Sequence, residues 1–220
     1  MGDELKAAGD RASHDFILAE LRALFPGDAI LSEEGADDEA RLTSERVWIV
    51  DPLDGTREFS EPPRDDWAVH IALVVDGRPV AGSVALPAMG VTFGTSPPAR
   101  LPPPSGRAPR LLVSRTRPTE HAQFLAERLG GELVPMGSAG AKAMAVVRGD
   151  AEIYAHSGGQ YEWDSAAPVA VAAAAGLHTS RLDGAPLRYN QANPWLPDLL
   201  ICWPEFAAAV IELCRERTGI

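Results

Sequence analysis

Two aspartates separated by two residues form the segment of the sequence with the clearest chemistry. Asp51 follows the apolar run at residues 47–50, and Asp54 lies in the turn-forming stretch after it. Two such charges raise each other's pKa unless a cation lies between them. Mg²⁺ prefers oxygen ligands in octahedral geometry, and the backbone carbonyl of Leu53 can add one between the two side chains. The segment therefore predicts a Mg²⁺ site.

Gly55 and Thr56, directly after the two aspartates, indicate a phosphate-binding turn. They open the next turn, and the first N–H groups of a helix have no intrahelical acceptor, so that they can cradle a phosphate. The metal and phosphate sites are thus expected to adjoin. Asp-Pro-x-Asp-Gly is also ordinary turn composition, so the segment alone leaves a purely structural role open.

Further acidic residues occur on both sides of this segment. Glu33 follows a short predicted strand at residues 29–31, and Asp164 opens an alanine-rich helix near residues 165–175, where it or Ser165 suits the N-cap. Singly, a glutamate pair is usually a solvated turn and an aspartate at a helix start is usually a cap. The histidines have no metal-ligand spacing and are assigned no role; they are His14, His70, His121, His156 and His178.

The elements that must position these residues fall into two halves. Periodicity predicts a helix over residues 11–25, a strand at 47–50 closed by Asp51-Pro52, and a hairpin of strands 67–75 and 79–86. This half is expected to be antiparallel. A proline-rich loop at 94–109 follows, and beyond it short strands alternate with helices, which favours an α/β lobe. We therefore predict two lobes, residues 1–108 and 109–220.

Composition excludes several functional classes. The 220 residues carry 20 Lys and Arg against 31 Asp and Glu, and a net charge of −11 has the wrong sign for a nucleic-acid partner. No apolar stretch approaches the ~18 residues that cross a bilayer, and the N-terminus lacks the pattern of a signal peptide. We therefore expect a cytoplasmic protein without a membrane partner. Two cysteines are too few for a disulfide framework.

Together these motifs resemble the inositol monophosphatase superfamily of Mg²⁺-dependent, lithium-sensitive phosphatases. The resemblance is carried by Glu33-Glu34, by Trp-Ile-Val-Asp-Pro-Leu-Asp-Gly-Thr at residues 48–56, and by Trp163-Asp164 with the helix that follows. The order and spacing of these three motifs match the family pattern over nearly the whole chain. It implies a layered α–β sandwich of the α+β or α/β type, in which an antiparallel-sheet lobe meets a smaller α/β lobe at the site.

The resemblance also implies roles for individual residues. It implies an in-line displacement with two or three Mg²⁺ ions, in which Asp10 accepts a hydrogen bond from Thr56 and the pair orients the attacking water. Glu33 and Asp54 join these two as catalytic residues. The implied metal ligands are Glu33, Asp51, the Leu53 carbonyl, Asp54 and Asp164.

Two further segments, residues 137–142 and 183–190, are similar to the 3′(2′),5′-bisphosphate nucleotidase branch, the CysQ type. That similarity implies a phosphatase for the 3′-phosphate of adenosine 3′,5′-bisphosphate; inositol 1-phosphate and fructose 1,6-bisphosphate are alternative substrates. Relatives are often dimers, so a homodimer is also expected. The candidate substrate-binding residues are Gly55, Thr56, Ser138, Lys142, Asp164 and Arg188.

The N-terminus departs from the family pattern. Only nine residues precede Asp10, whereas members usually begin with an additional helical segment. An N-terminal helix is therefore expected to be missing, which would leave apolar surface exposed. This departure motivates a second alternative, a non-catalytic relative that still binds phosphate.

Overall fold

Two five-stranded sheets form the framework of the computed structural model, which describes residues 2–104, 106–116 and 118–218. The strands are β1 (Ala29–Ser32), β2 (Arg46–Asp54), β3 (Ala68–Val75), β4 (Arg78–Leu86), β5 (Val91–Gly94), β6 (Arg110–Ser114), β7 (Glu132–Met136), β8 (Ile153–Tyr161), β9 (His178–Ser180) and β10 (Trp195–Cys202). The helices are α1 (Gly2–Leu24), α2 (Thr56–Phe59), α3 (Glu120–Leu129), α4 (Ala139–Arg148), α5 (Ala166–Ala174) and α6 (Pro204–Thr218).

The first sheet has the strand order β1-β2-β3-β4-β5 and is mixed, not wholly antiparallel as expected. β1 and β2 are parallel, because a connection containing a 3₁₀ turn at Glu39–Thr43 returns the chain to the same end of the sheet. The predicted β3–β4 hairpin is confirmed. Its turn residues Asp76 and Gly77 have φ angles of 51° and 70°, as a type I′ turn requires.

The predicted end of β2 at Asp51-Pro52 is wrong, because the strand continues to Asp54. Proline is tolerated here for a reason that the sequence did not reveal. The pairing with β1 ends at Val50, and the pairing with β3 is irregular between Asp51 and Asp54, so the missing N–H of Pro52 interrupts no ladder. Both aspartates therefore belong to one strand.

The second sheet has the order β7-β6-β8-β10-β9. β6 runs parallel to β7 and β8, while β10 is antiparallel to β8 and β9. The predicted alternation of strands and helices in this half is confirmed, although the short strands β5 and β9 were not predicted.

The hydrophobic core lies mainly between the two sheets, where α4 and α5 pack. Gly82 on β4 allows α5 to approach closely, because a Cβ at this position would lie 2.9 Å from the Cβ of Ala170. One cluster of buried side chains runs continuously from the first sheet to the second. These contacts fix the position of α4 and α5 relative to β2 and β3.

Helix α1 covers the other face of the first sheet. Ile17, Leu18 and Leu21 pack against Val50, which is fully buried. Phe16, on the same helix, is 67% exposed. Among the described residues, no helix is both long and apolar enough to cross a membrane.

Candidate active site

Asp51 lies at the centre of the acidic residues and is 1% exposed. Its Oδ1 accepts a hydrogen bond of 3.0 Å from the backbone N–H of Leu53. Burial, followed by the charges of Asp54, Glu33 and Asp164, raises the pKa of Asp51 well above its usual range. A buried carboxyl surrounded by three others is unfavourable as an anion unless a cation is added.

Asp54 is held by the start of α4, which lies 84 residues further along the chain. Its Oδ2 accepts hydrogen bonds from the Ser138 hydroxyl at 2.5 Å and from the Gly140 N–H at 2.7 Å. Burial alone would raise the pKa of this carboxyl, but contacts with His70, Ser138 and Gly140 lower it to about 2. Asp54 is therefore a fixed anion whose Oδ1 is free of these protein donors.

Glu33 and Asp164 complete the group of carboxylates from two distant segments. The Glu33 N–H donates to the Val50 carbonyl at 3.2 Å, which sets Glu33 beside the residue that precedes Asp51. Burial and the charge of Asp164 raise the pKa of Glu33 to about 7. Burial and the charge of Asp54 raise the pKa of Asp164 to about 6. The charges of these four carboxyl groups thus act on one another, and ligand atoms of Asp51 and Asp54 lie within 4.8 Å of each other.

A hard divalent cation suits this donor set. Within the described parts of the chain, no lysine or arginine forms an ion pair with Asp51 or Asp54. The neighbouring Lys142 is buried, and its Nζ donates to the backbone carbonyls of Gly137 and Ser138. Among the described basic side chains, His70 alone pairs with these two carboxylates. A single imidazole cannot balance the charge of four carboxyl groups, and oxygen donors are the ligands that Mg²⁺ prefers.

Gly55 and Thr56 begin helix α2 directly after these carboxylates. Gly55 has a φ angle of 86°, a conformation that favours glycine, and it lets the chain turn sharply from β2 into α2. The Thr56 hydroxyl donates to the Leu53 carbonyl at 3.2 Å. That carbonyl retains a second lone pair, so it remains available as a metal ligand.

Asp10 approaches this segment from α1. The preceding Gly9 packs so closely that a Cβ there would lie 2.7 Å from the ring of Phe59 and 3.1 Å from the side chain of Leu53. Burial, followed by the charge of Glu34, raises the pKa of Asp10 to about 6. The hydrogen bond expected between Asp10 and Thr56 is not formed, because the Thr56 hydroxyl is directed at Leu53.

A cleft of about 410 Å³ opens beside α2 and the start of α4. Ser138 and Lys142 lie on its wall, although Ser138 also holds Asp54 and caps α4 through the Ala141 N–H. The exposed guanidinium of Arg57 contributes positive charge at the same cleft. The full lining is Thr56, Arg57, Glu58, Ser114, Arg115, Thr116, Met136, Gly137, Ser138 and Lys142.

Arg188 is not brought to this cleft. It lies at the β3–β4 turn, where the Tyr189 N–H donates to the Gly77 carbonyl at 3.0 Å. Asp54 pairs with Ala68 at the opposite end of β3. With about 3.3 Å per strand residue, the length of β3 separates the two ends by roughly 23 Å.

His70 belongs to the site, although the spacing of the histidines in the sequence predicts no role for it. It is fully buried on β3, pairs in register with Asp51, and places Nε2 3.2 Å from Asp54 Oδ2. Ligand atoms of Asp51, Asp54 and His70 lie within 4.8 Å of one another. The only signal in the sequence was a polar residue within an apolar strand, and the register that places it opposite Asp51 is a tertiary feature.

Comparisons with known proteins agree with this architecture and with the resemblance in the motifs. The 3′-phosphoadenosine 5′-phosphate phosphatase of Mycobacterium leprae is 52% identical over 221 residues, 95% of this chain and 82% of the relative. The 3′(2′),5′-bisphosphate nucleotidase CysQ of Escherichia coli K12 is 34% identical over 200 residues, 86% and 81% of the two chains.

Structural similarity extends over most of the chain. The crystal structure of CysQ from Bacteroides thetaiotaomicron, a bacterial member of the inositol monophosphatase family, has a TM-score of 0.74 at 29% identity, over 88% of this chain and 83% of that one. The expected layered fold is confirmed. The model of the inositol monophosphatase family matches residues 2–218. This chain therefore belongs to the inositol monophosphatase family.

Proposed function

We propose that this chain is a Mg²⁺-dependent phosphatase that removes the 3′-phosphate of adenosine 3′,5′-bisphosphate, giving AMP and phosphate. The observation that carries the proposal is the convergence of four carboxylates, from three separate segments, beside a cleft. The 52% identity to a relative named as a phosphatase of this nucleotide supports the substrate. The cleft volume of about 410 Å³ is within the range usual for small-molecule sites.

Glu33, Asp51, Asp54, Asp164 and the Leu53 carbonyl would hold the metal ions. Asp51 and Asp54 come from one strand, so their separation is set by β2 itself, while Glu33 and Asp164 are supplied by the turn after β1 and the turn before α5. When bound, Mg²⁺ supplies the positive charge that the phosphate and the leaving oxygen require. Two or three ions would roughly balance four carboxylates and a dianionic phosphate.

Hydrolysis requires a water molecule in line with the ester bond. Its oxygen attacks phosphorus, the bond between phosphorus and the ribose O3′ breaks, and the departing O3′ takes a proton from a solvent water. Asp10, with a pKa of about 6, is ionised above about pH 7 and suits the role of proton acceptor for this water. The N–H groups of Gly55 and Thr56, at the start of α2, suit the phosphate oxygens.

The remainder of the nucleotide would lie in the cleft. Ser138 and Lys142 stay candidates for contacts with the substrate, and Arg57 joins them because its exposed guanidinium faces the same space. A second phosphate on the sugar would favour such cationic partners. Arg188 is not part of the proposed site, because it lies at the far end of β3.

The decisive experiment compares phosphate release from adenosine 3′,5′-bisphosphate, inositol 1-phosphate and fructose 1,6-bisphosphate with purified protein and Mg²⁺. We expect the nucleotide to have the highest kcat/KM. Preference for a sugar phosphate would refute the nucleotide assignment and leave the phosphatase class intact. We expect Asp54→Asn to lower kcat/KM by about a thousandfold, since it removes a fixed anion from the site. A folded protein inactive on all three substrates would instead support a non-catalytic relative.

The quaternary structure and cellular compartment are separate expectations carried by the resemblance and the composition. We propose a cytoplasmic homodimer. Size-exclusion chromatography with light scattering measures the oligomeric state, and a monomer at micromolar concentration would refute the dimer.

A further inference from the structure

His70 occupies the point where three elements of the site meet. It lies on the face of β3 that points into the core, between α4 and the turn that carries Asp164. Asp51 and Asp54 share a strand, but Asp164 is 110 residues away in the sequence from Asp54. The separation between Asp54 and Asp164 must therefore be set by side-chain contacts between elements.

One nitrogen of the imidazole holds the turn before α5. His70 Nδ1 lies 3.1 Å from the backbone carbonyl of Trp163, the residue directly before Asp164. A carbonyl can only accept, so Nδ1 carries the hydrogen and donates it. This bond ties the turn that carries Asp164 to β3.

The other nitrogen is packed against Gly140. A Cβ built on Gly140 would lie 2.0 Å from His70 Nε2 and 2.9 and 3.0 Å from the two ring carbons that flank it. The nearly equal distances place that position on the outward axis of Nε2. The backbone of Gly140 thus fills the space in which a ligand of Nε2 would lie, so His70 does not serve as a metal ligand even though it is close to Asp51 and Asp54.

Gly140 in turn holds Asp54. Its N–H donates to Asp54 Oδ2 at 2.7 Å, beside the bond from Ser138. The imidazole therefore meets Asp54 both through Gly140 and directly, with Nε2 3.2 Å from Oδ2, and it reaches the residue before Asp164 through the Trp163 carbonyl. A shift of the ring changes the distance between two proposed metal ligands.

We propose that His70 is a positioning residue, whose imidazole, interlocked with Gly140, sets the separation between Asp54 and the turn that carries Asp164. This inference rests on the proposed function, since it concerns the metal site of that reaction. It explains why position 140 requires glycine although its backbone conformation is open to other residues.

A double-mutant cycle tests the interlock, with calorimetric Mg²⁺ binding in the presence of phosphate as the main readout. Gly140→Ala places a methyl group against the imidazole, and we expect Mg²⁺ to bind about 10- to 100-fold more weakly, the range typical for residues that orient metal ligands. His70→Asn keeps a donor for the Trp163 carbonyl but vacates the space beside Gly140. We therefore expect Gly140→Ala to cost less than threefold in the His70→Asn background.

Val74→Ala is the matched control. Val74 is buried on the same face of β3 as His70, but it pairs with Val47 and Pro79 at the other end of the strand. We expect this variant to lower the melting temperature without changing Mg²⁺ affinity. A loss of affinity equal to that of His70→Asn would assign His70 a merely structural role and overturn the proposal.

The remaining outcomes also decide the question. If Gly140→Ala binds Mg²⁺ as the wild type does, or if the two substitutions weaken binding independently, the interlock is refuted while the proposed function stands. If wild-type protein takes up no Mg²⁺ and hydrolyses no nucleotide, both proposals fail. Should Gly140→Ala not fold, the double variant must fold and bind Mg²⁺ for the interlock to hold.

Discussion

The hydroxyl of Ser138 donates a 2.5 Å hydrogen bond to the carboxylate of Asp54. This bond joins the start of α4, in the second half of the chain, to β2 in the first half. The same Ser138 oxygen accepts from the Ala141 N–H and so caps α4. One side chain therefore fixes both a helix start and a proposed metal ligand.

Ser138→Ala is expected to weaken Mg²⁺ binding by about 10- to 100-fold, because Asp54 loses a partner that orients it. Mg²⁺ titration calorimetry measures the effect. Loss of the helix cap alone should cost about 1 kcal/mol of stability.

Thr119→Ala supplies the control for that cap, since Thr119 accepts from the Ala122 N–H at the start of α3, away from the site. We expect the same loss of stability and unchanged Mg²⁺ affinity. Equal Mg²⁺ affinity in both variants would show that Ser138 does no more than cap its helix.

Arg57→Ala is expected to raise KM for adenosine 3′,5′-bisphosphate about tenfold, the cost of losing one hydrogen bond to a charged group. Arg188→Ala is the paired variant, and its KM should stay within about twofold of wild type because Arg188 lies at the β3–β4 turn. Steady-state kinetics on both variants make the comparison. A larger effect at Arg188 would return that residue to the substrate site.

Stability of the metal-free protein is expected to fall as the pH rises from about 4 to 7. The folded-state pKa values of Asp164, Asp10 and Glu33 are raised to about 6, 6 and 7, so the folded state binds more protons than the unfolded state in this interval. The free energy of unfolding rises with pH only where the unfolded state binds more protons than the folded state. Here the folded state binds more protons, so the free energy of unfolding falls as the pH rises.

Thermal melting in a chelator measures this slope. Saturating Mg²⁺ should flatten the decline, because the cation favours the ionised carboxylates that protons would otherwise neutralise. Identical slopes with and without Mg²⁺ would contradict a metal site formed by these residues.

Arg41→Met is expected to destabilise the protein by about 3 kcal/mol, because it removes several hydrogen bonds from a buried guanidinium and leaves their acceptors without a donor. Arg41 is 1% exposed, and its guanidinium donates to Asp37, to the Asn190 side chain and to the Gln191 carbonyl. Urea denaturation measures the change in the free energy of unfolding.

Arg46→Met is the matched control, because Arg46 pairs with Asp28 but its side chain is 42% exposed. We expect a loss below about 1 kcal/mol there. If the two variants lost equal stability, burial of the Arg41 guanidinium would not matter to the fold.

The sequence by itself determined the local chemistry of this protein. The apolar run before Asp51, Gly55 after Asp54 and the Asp76-Gly77 hairpin are local signals that the structure confirms, whereas the strand end predicted at Asp51-Pro52 is wrong. The segment at residues 48–56, taken together with Glu33-Glu34 and Trp163-Asp164, sufficed to predict the family.

Only the tertiary structure decided which distant residues complete the site. Strand register placed His70 opposite Asp51, and the packing of α4 set Gly140 against its ring and Ser138 on Asp54. The same packing left Arg188 at the far end of β3. These three placements do not follow from local sequence. Strand register and the distance between packed elements depend on how all the core side chains fill the interior together.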